Sequence, residues 1–164
     1  MDAVIRRATA QDADGIGAFQ TRAWQQAYRG LVPESYLDAV TAHQRSVRWR
    51  RRILDGERSV WVAHAAGDLI GVASTSSTPR ERMDLPELEL SSIYVDASVY
   101  GQGVAQLLLG AAIADKAAHL WVFDGNTRAQ RFYARQGFEA STERQSDSDT
   151  GLGETRWIRL QTAS

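Results

Sequence analysis

The chain is 164 residues long, with 43% hydrophobic and 24% charged residues, the size and balance of one compact domain. Nineteen Lys and Arg stand against twenty Asp and Glu, and a net charge of −1 argues against a protein that lives on nucleic-acid phosphates. Cysteine is absent, which excludes disulfides, thiolate metal sites and a cysteine nucleophile together and fits a reducing compartment.

Charges at Asp2, Arg6 and Arg7 interrupt any signal-peptide core. Gln106, Gly110, Asp115 and Lys116 break the longest apolar neighbourhood, 104–118, so no membrane span is expected. The expectation is a cytoplasmic protein in which residues 1–164 form a single domain.

In chain order, a short strand at 4–7 comes first. Asp12 stands where it would cap a helix whose apolar positions Ile16, Phe19 and Ala23 recur at steps of three and four. Pro33 opens a short helix with Tyr36, Leu37 and Val40, and a third helix carries Val47, Trp49, Ile53 and Leu54 and ends near Gly56. Strands at 59–65 and 69–74 flank Ala66-Gly67-Asp68, a hairpin signal. A polar segment leads to a strand at 87–95. A helix at 103–117 follows, with Val104, Leu107, Leu108 and Ala111 on one face. Next come a strand at 119–123 and a helix at 126–136, with Ala129, Phe132 and Tyr133 on one side and Gly137 as its C-cap. Strands at 138–143 and 154–160 close an α+β, or mixed α/β, domain.

The stretch 87–109 is the most informative. Leu88 and Leu90 share one strand parity, but Ile93 and Val95 take the other. Either a one-residue β-bulge near Ser91-Ser92 shifts the alternation, or the far end of the strand is buried on both faces. Tyr100-Gly101-Gln102-Gly103-Val104-Ala105 then sits directly before a helix. Glycines admit close approach of the backbone, and a helix start offers unpaired N–H groups, together suited to a pyrophosphate. A dinucleotide fingerprint would need glycine where Gln106 stands, and the Gly-Lys-Ser/Thr of a P-loop is missing.

Read with its neighbour, this segment resembles a known family. The run ELSSIYVDASVYGQGVAQLLL (89–109) is similar to motif A of the GNAT superfamily of N-acetyltransferases, whose pyrophosphate signature is Gln/Arg-x-x-Gly-x-Gly/Ala. The run LWVFDGNTRAQRFYARQGF (120–138) resembles its motif B, Asn-x-x-Ala-x-x-Phe-Tyr-x-x-x-Gly-Phe. Gly103 and Ala105 agree with the signature, and Tyr100 departs from it. The resemblance implies a central mixed, mostly antiparallel sheet of six to seven strands, splayed between the fourth and fifth and flanked by helices.

It also implies acetyl transfer from acetyl-CoA straight to an amine, with no metal. On the family pattern, the pantetheine arm lies along Ile93 and Val95, and the Ile93 N–H polarises the acetyl carbonyl. The pyrophosphate meets Gly101, Gln102, Gly103, Val104 and Ala105, and Asn126 bonds the coenzyme where the strands part. Tyr133 matches the tyrosine that reprotonates the thiolate; outside that motif it would read as a helix tyrosine packed beside Phe132 in the core. Glu89 stands where some members carry a catalytic glutamate, with Glu87 two residues away; the alternative is that both simply face solvent. Asn126 also reads as a helix N-cap.

Trp24, Tyr28 and Tyr36 line an aromatic acceptor wall or else belong to the core. The loop 78–86 is expected to shape the acceptor pocket, and Glu81, Asp84, Glu87 and Glu89 give it an acidic bias suited to a cationic amine. The basic run 48–52 reads as a solvated helix face. His43, His64 and His119 lack metal-ligand spacing and read as structural. The expected partner is thus a small-molecule or peptide amine, without nucleic acid or membrane. A homodimer through the last strands is possible on the family pattern. The reading from a different class is a coenzyme A-binding regulatory domain that has lost catalysis, and Tyr100 is the residue that encourages it.

Overall fold

The computed structural model describes residues 2–161. Strand β1 (Val4–Arg7) pairs antiparallel with β2 (Ser59–Ala65), which turns back into β3 (Asp68–Ser77). Strand β4 (Leu88–Val95) lies antiparallel to β3, and β5 (Ala118–Phe123) runs parallel to β4. With β6 (Glu139–Ser146) and β7 (Gly153–Arg159) the sheet has seven strands in the order β1-β2-β3-β4-β5-β7-β6. All neighbours but β4 and β5 are antiparallel, matching the mixed, mostly antiparallel sheet expected.

The strand alternation divides the core into two layers. Val60, Val62 and Val72 face Ile16, Phe19, Ala23 and Trp49 from α1 (Ala13–Tyr28) and α3 (Ala42–Leu54). Ala63, Ala73 and Leu90 face the opposite layer, built on α4 (Val104–Ile113) and α5 (Thr127–Arg135). The short helix α2 (Glu34–Ala39) starts after Pro33, as its sequence predicts. Thr41 caps α3, accepting from the Gln44 N–H at 3.1 Å, while the Gln44 side chain accepts from the Thr41 N–H at 2.9 Å.

Several local expectations need correction. Asp12 does not cap α1. It stands at the N-cap position, but its side chain makes no capping bond, because the carboxylate turns back to close a 3-10 turn, accepting from the Thr9 N–H at 2.7 Å and pairing with Arg6. Helix α4 stops at Ile113, and its buried residues are Val104, Leu108, Leu109, Ala112 and Ile113, with Leu107 and Ala111 exposed. That helix is apolar nearly all round, so its sequence carries little phase information. Val47 and Leu54 of α3 are likewise exposed, whereas Trp49 is fully buried. The last two strands are longer at their shared hairpin than the pattern indicates.

The parity change in β4 resolves in favour of the bulge. Ser92 pairs with Ser74 and Leu90 with Thr75, which leaves Ser91 as the extra residue. Hydroxyl pairs pin it from both sides: Ser74 Oγ to Ser92 Oγ at 2.6 Å and Ser76 Oγ to Ser91 Oγ at 2.7 Å. The extra residue brings Leu88, Leu90, Ile93 and Val95 to one layer and releases Tyr94 to the other.

Candidate active site

Strands β4 and β5 pair at one position only, Glu89 with His119, and then diverge. Beyond it, the backbone groups on that edge of β4 have no strand partner, and a fork opens in the middle of the sheet. A cavity of about 340 Å³ lies on one side of the fork and one of about 380 Å³ on the other. Tyr28, Ile93, Tyr94, Asn126, Ala129 and Tyr133 line both, so the two chambers share one wall.

Val95, Tyr100, Ala105, Arg128 and Phe132 belong to the first chamber alone. Its outer end is the loop before α4. Asp96 fixes this loop by accepting from the Ser98 N–H at 3.0 Å and the Ser98 hydroxyl at 2.6 Å, and by pairing with Arg22; the Ser98 bonds lead in holding its pKa down to about 2. Gly101 and Gly103 adopt φ of +78° and +86°, which side-chain-bearing residues rarely take. Together they turn the chain so that the first N–H groups of α4 lie at an open helix start. Gly101, Gln102 and Gly103 are exposed, and the Val104 side chain is buried beneath them. The Arg128 guanidinium stacks over the Tyr100 ring, its carbon 3.0 Å from the centroid. This cation was missed in the sequence because it comes from motif B and not from the loop that it serves.

Tyr133 is buried, edge-on to Phe132 at 5.3 Å and Phe138 at 5.7 Å between centroids. Burial, with Tyr94 adding a smaller push, moves its pKa above the ordinary phenol value, so it keeps its proton. Its two sequence readings are compatible: one edge packs in the core and the ring lines both chambers. Asn126 is also the N-cap of α5, its Oδ1 accepting from the Ala129 N–H at 3.1 Å, which leaves the side-chain NH₂ free to serve a ligand.

The second chamber holds Glu89, half-buried. Desolvation raises its pKa, opposed by the charges of Arg156 and Arg58. Trp24, Tyr28 and Tyr36 do come together, the Trp24 ring 4.5 Å from Tyr28 and 5.7 Å from Tyr36, with Tyr94 at 6.3 Å. The buried Trp24 Nε1 finds no partner among the described residues.

Two expectations about this chamber fail. No residue of 78–86 lines it, and Glu87 is exposed outside both chambers, because Arg82 ties that loop away to Glu143 at 2.9 Å. Nor is its charge chiefly acidic. Arg45, Arg48, Arg52 and Arg58 line it, opposite Asp147, Asp149 and Glu154 from the β6–β7 end. The basic run is therefore not simply a solvated face. Positions 45 and 52 lie four and three residues from Trp49, on the helix face that Trp49 buries, and 48 stands three residues from one and four from the other. That spacing was the available signal.

His119 is structural in the sense predicted, and buried. Its Nε2 lies 2.7 Å from Thr78 Oγ1, whose own proton goes to the Pro86 carbonyl at 2.6 Å, so Nε2 donates. Its Nδ1 accepts from Arg156, which also binds Glu143 at 2.7 Å. The ring is thus the neutral Nε2–H tautomer, and burial first, then Arg156, lowers its pKa to about 4.

A forked sheet with an open helix start on one side and ionisable groups on the other defines a transferase of the N-acetyltransferase class. The chain belongs to the acetyltransferase (GNAT) family, whose profile matches residues 19–138. An uncharacterised N-acetyltransferase of Mycobacterium tuberculosis is 31% identical over 140 residues, covering 81% of this chain and 86% of its own. A counterpart in Mycobacterium bovis gives the same figures, 31% over 140 residues with 81% and 86% covered.

Among solved structures, the PaiA N-acetyltransferase of Thermoplasma acidophilum, in complex with coenzyme A, matches with a TM-score of 0.77. That match has 16% identity over 98% of this chain and 99% of that one. YncA of Salmonella typhimurium, with its cofactor acetyl-CoA, matches with a TM-score of 0.69 and 18% identity over 100% and 96%. At these identities the likeness to the solved structures is one of fold.

Proposed function

We propose that the protein transfers the acetyl group of acetyl-CoA directly to a primary amine of a small molecule or peptide. The observation that carries this reading is the wall shared by the two chambers: a thioester from one side and an amine from the other meet at Ile93, Asn126 and Tyr133. The first chamber fits the coenzyme. Its mouth offers backbone N–H groups and the positive end of α4 to a pyrophosphate, and Arg128 supplies the fixed cation that Tyr100 lacks. Ile93, Val95 and Phe132 offer apolar surface to the pantetheine arm.

The chemistry follows from the groups at the fork. The neutral amine attacks the thioester carbon, the new C–N bond forms and the C–S bond breaks. The Ile93 N–H, on the unpaired edge of β4, stabilises the oxygen that gains charge. Glu89, directly or through one water, takes the proton that the nitrogen sheds, and its raised pKa suits a base working near neutrality. Tyr133, held protonated by burial, donates to the departing sulfur.

Two measurements test this. Acetyl-CoA at a hundred times its dissociation constant is expected to stabilise the protein by about 2.7 kcal/mol, with adenosine giving no comparable shift. Tyr133→Phe is expected to lower kcat about a hundredfold while leaving that shift intact. No shift at millimolar acetyl-CoA would bring forward a chain without donor binding. A shift without turnover on any amine would favour a coenzyme A-binding regulatory domain.

A further inference from the structure

Four arginines and four carboxylates line the second chamber, but none of these arginines is ion-paired with a described residue. Arg45 is fully buried, yet it binds only neutral acceptors, the Val40 carbonyl at 2.7 Å and Thr21 Oγ1 at 3.0 Å. Arg58 is half-buried and makes one long bond, to Ser74 Oγ at 3.3 Å. Arg52 is half-buried too. Both converge on one indole: their guanidinium carbons lie 5.2 Å (Arg52) and 5.8 Å (Arg58) from the Trp49 ring centroid. None of these three, nor Arg48 at the mouth, forms an ion pair with a described residue, whereas Arg50 on the outer side of the same helix pairs with Asp14.

None of the carboxylates across the chamber pairs with these arginines. Asp147 accepts from the Thr150 N–H at 2.9 Å and its hydroxyl at 2.8 Å, which fixes the hairpin turn. Glu154 takes the Gln145 amide at 2.6 Å, and burial raises its pKa. Asp149 lines the wall without pairing to an arginine, and Glu89 sits at the fork. Burying two neighbouring guanidiniums unpaired is costly, and desolvation together with their mutual repulsion moves Arg52 down to about 10. A planar fork of N–H donors matches a carboxylate or phosphoryl group better than any neutral ligand.

We propose that the acceptor amine carries an anionic group, a carboxylate or phosphate, which Arg52 and Arg58 bind while the amine reaches Glu89 and Tyr133 at the fork. This rests on the acetyltransfer reading and names the substrate class within it. Arg48 meets the anion at the entrance, and Arg45 braces the helix from behind.

The test compares matched amines that differ only in the anion: amino acids against their primary amides, and O-phosphoethanolamine against ethanolamine. Wild-type kcat/KM is expected to favour the anionic member at least about tenfold, with the better of the two series telling carboxylate from phosphate. Arg52→Gln and Arg58→Gln are expected to compress that ratio about tenfold. The same variants are expected to melt higher than wild type without ligand, since each removes a partly buried charge that has no ion-pair partner. Thermal shift of the coenzyme A-loaded protein with the same amines gives a readout without turnover.

Stabilisation by the anionic members alone, lost in the variants, supports the proposal. If it comes without any transfer, only the acetyltransfer reading fails. Equal shifts and equal kcat/KM for charged and neutral partners, or no shift with any member, would overturn the proposal. So would variants that melt lower and lose activity on both members alike.

Discussion

Helix α3 carries three of the four chamber arginines, and its distance from α1 is set at one residue, Gly17. A Cβ built there would lie 2.7 Å from both the Ala42 carbonyl oxygen and the Ser46 N, with the Ser46 hydroxyl nearer still. Those are backbone atoms of the opposing helix and cannot rotate away. Ordinary contact begins at 3.4 Å, so Gly17→Ala obliges α3 to retreat by about 0.7 Å. Overpacking of this kind costs about 1–3 kcal/mol, against a helix-propensity gain of up to about 1 kcal/mol.

Gly15 lies two residues earlier on the same helix, and a Cβ there would meet nothing within 4 Å. Gly15→Ala therefore keeps the propensity gain alone, about 0.5–1 kcal/mol. Urea or thermal denaturation is expected to find Gly15→Ala more stable than wild type and Gly17→Ala the less stable of the two variants. They should differ by the overpacking cost, about 1–3 kcal/mol, or roughly 2–12 °C in Tm for a domain of this size. Because α3 moves and α4 does not, Gly17→Ala is also expected to raise KM for the amine while leaving acetyl-CoA binding near wild type. A Gly17→Ala protein as stable as Gly15→Ala would refute the close approach of the two helices.

Glu89 is expected to impose an acid limb on kcat/KM that lies above the ordinary glutamate range, because burial raises its pKa. Glu89→Gln is expected to slow the reaction and flatten that limb, and an unaltered pH profile would remove Glu89 as the base. His119 couples stability to pH in a definite direction. Its folded pKa, about 4, lies below its ordinary 6.5, so the unfolded chain takes up a proton that the folded one refuses. Stability from this group is complete above pH 6.5 and is lost as pH falls towards 4, by about 3 kcal/mol. His119→Gln keeps an acceptor for Arg156 and a donor for Thr78 without the titration. Urea midpoints at pH 7 and 4.5 are expected to converge for that variant, and an undiminished difference would place the pH sensitivity elsewhere.

The lining of the chamber proposed for the donor was largely legible because it is written in contiguous residues. The parity change from Leu90 to Ile93 pointed to a bulge or to burial on both faces, which the strand pairing decided for the bulge, and the glycines before α4 pointed to an open helix start. Asn126, Ala129, Phe132 and Tyr133 fell at fixed spacing. The acceptor half was not legible in the same way. Arg45, Arg48 and Arg52 look like a solvated stripe until the sheet is seen to stand off from α3 and leave a chamber between them. Periodicity tells which face a helix shares with Trp49, but not whether a neighbour fills the space beside it. Arg82 misled in the opposite sense. It sits among acidic residues in the sequence, and the ion pair with Glu143, 61 positions away, carries the whole loop off the site.

The wall shared by the two chambers divides the chain unevenly between them. What faces the first chamber comes largely from one stretch, 93–133, joined only by the end of α1. The second chamber adds walls from α3, from Arg58 and from the far hairpin around Asp147, all outside that stretch. Substitutions in α3 or in the hairpin can therefore alter the amine that is admitted while the fork and the loop before α4 stay as they are. On the proposed assignment of the chambers, a lineage can keep one acyl donor and change acceptors by editing these two peripheral segments.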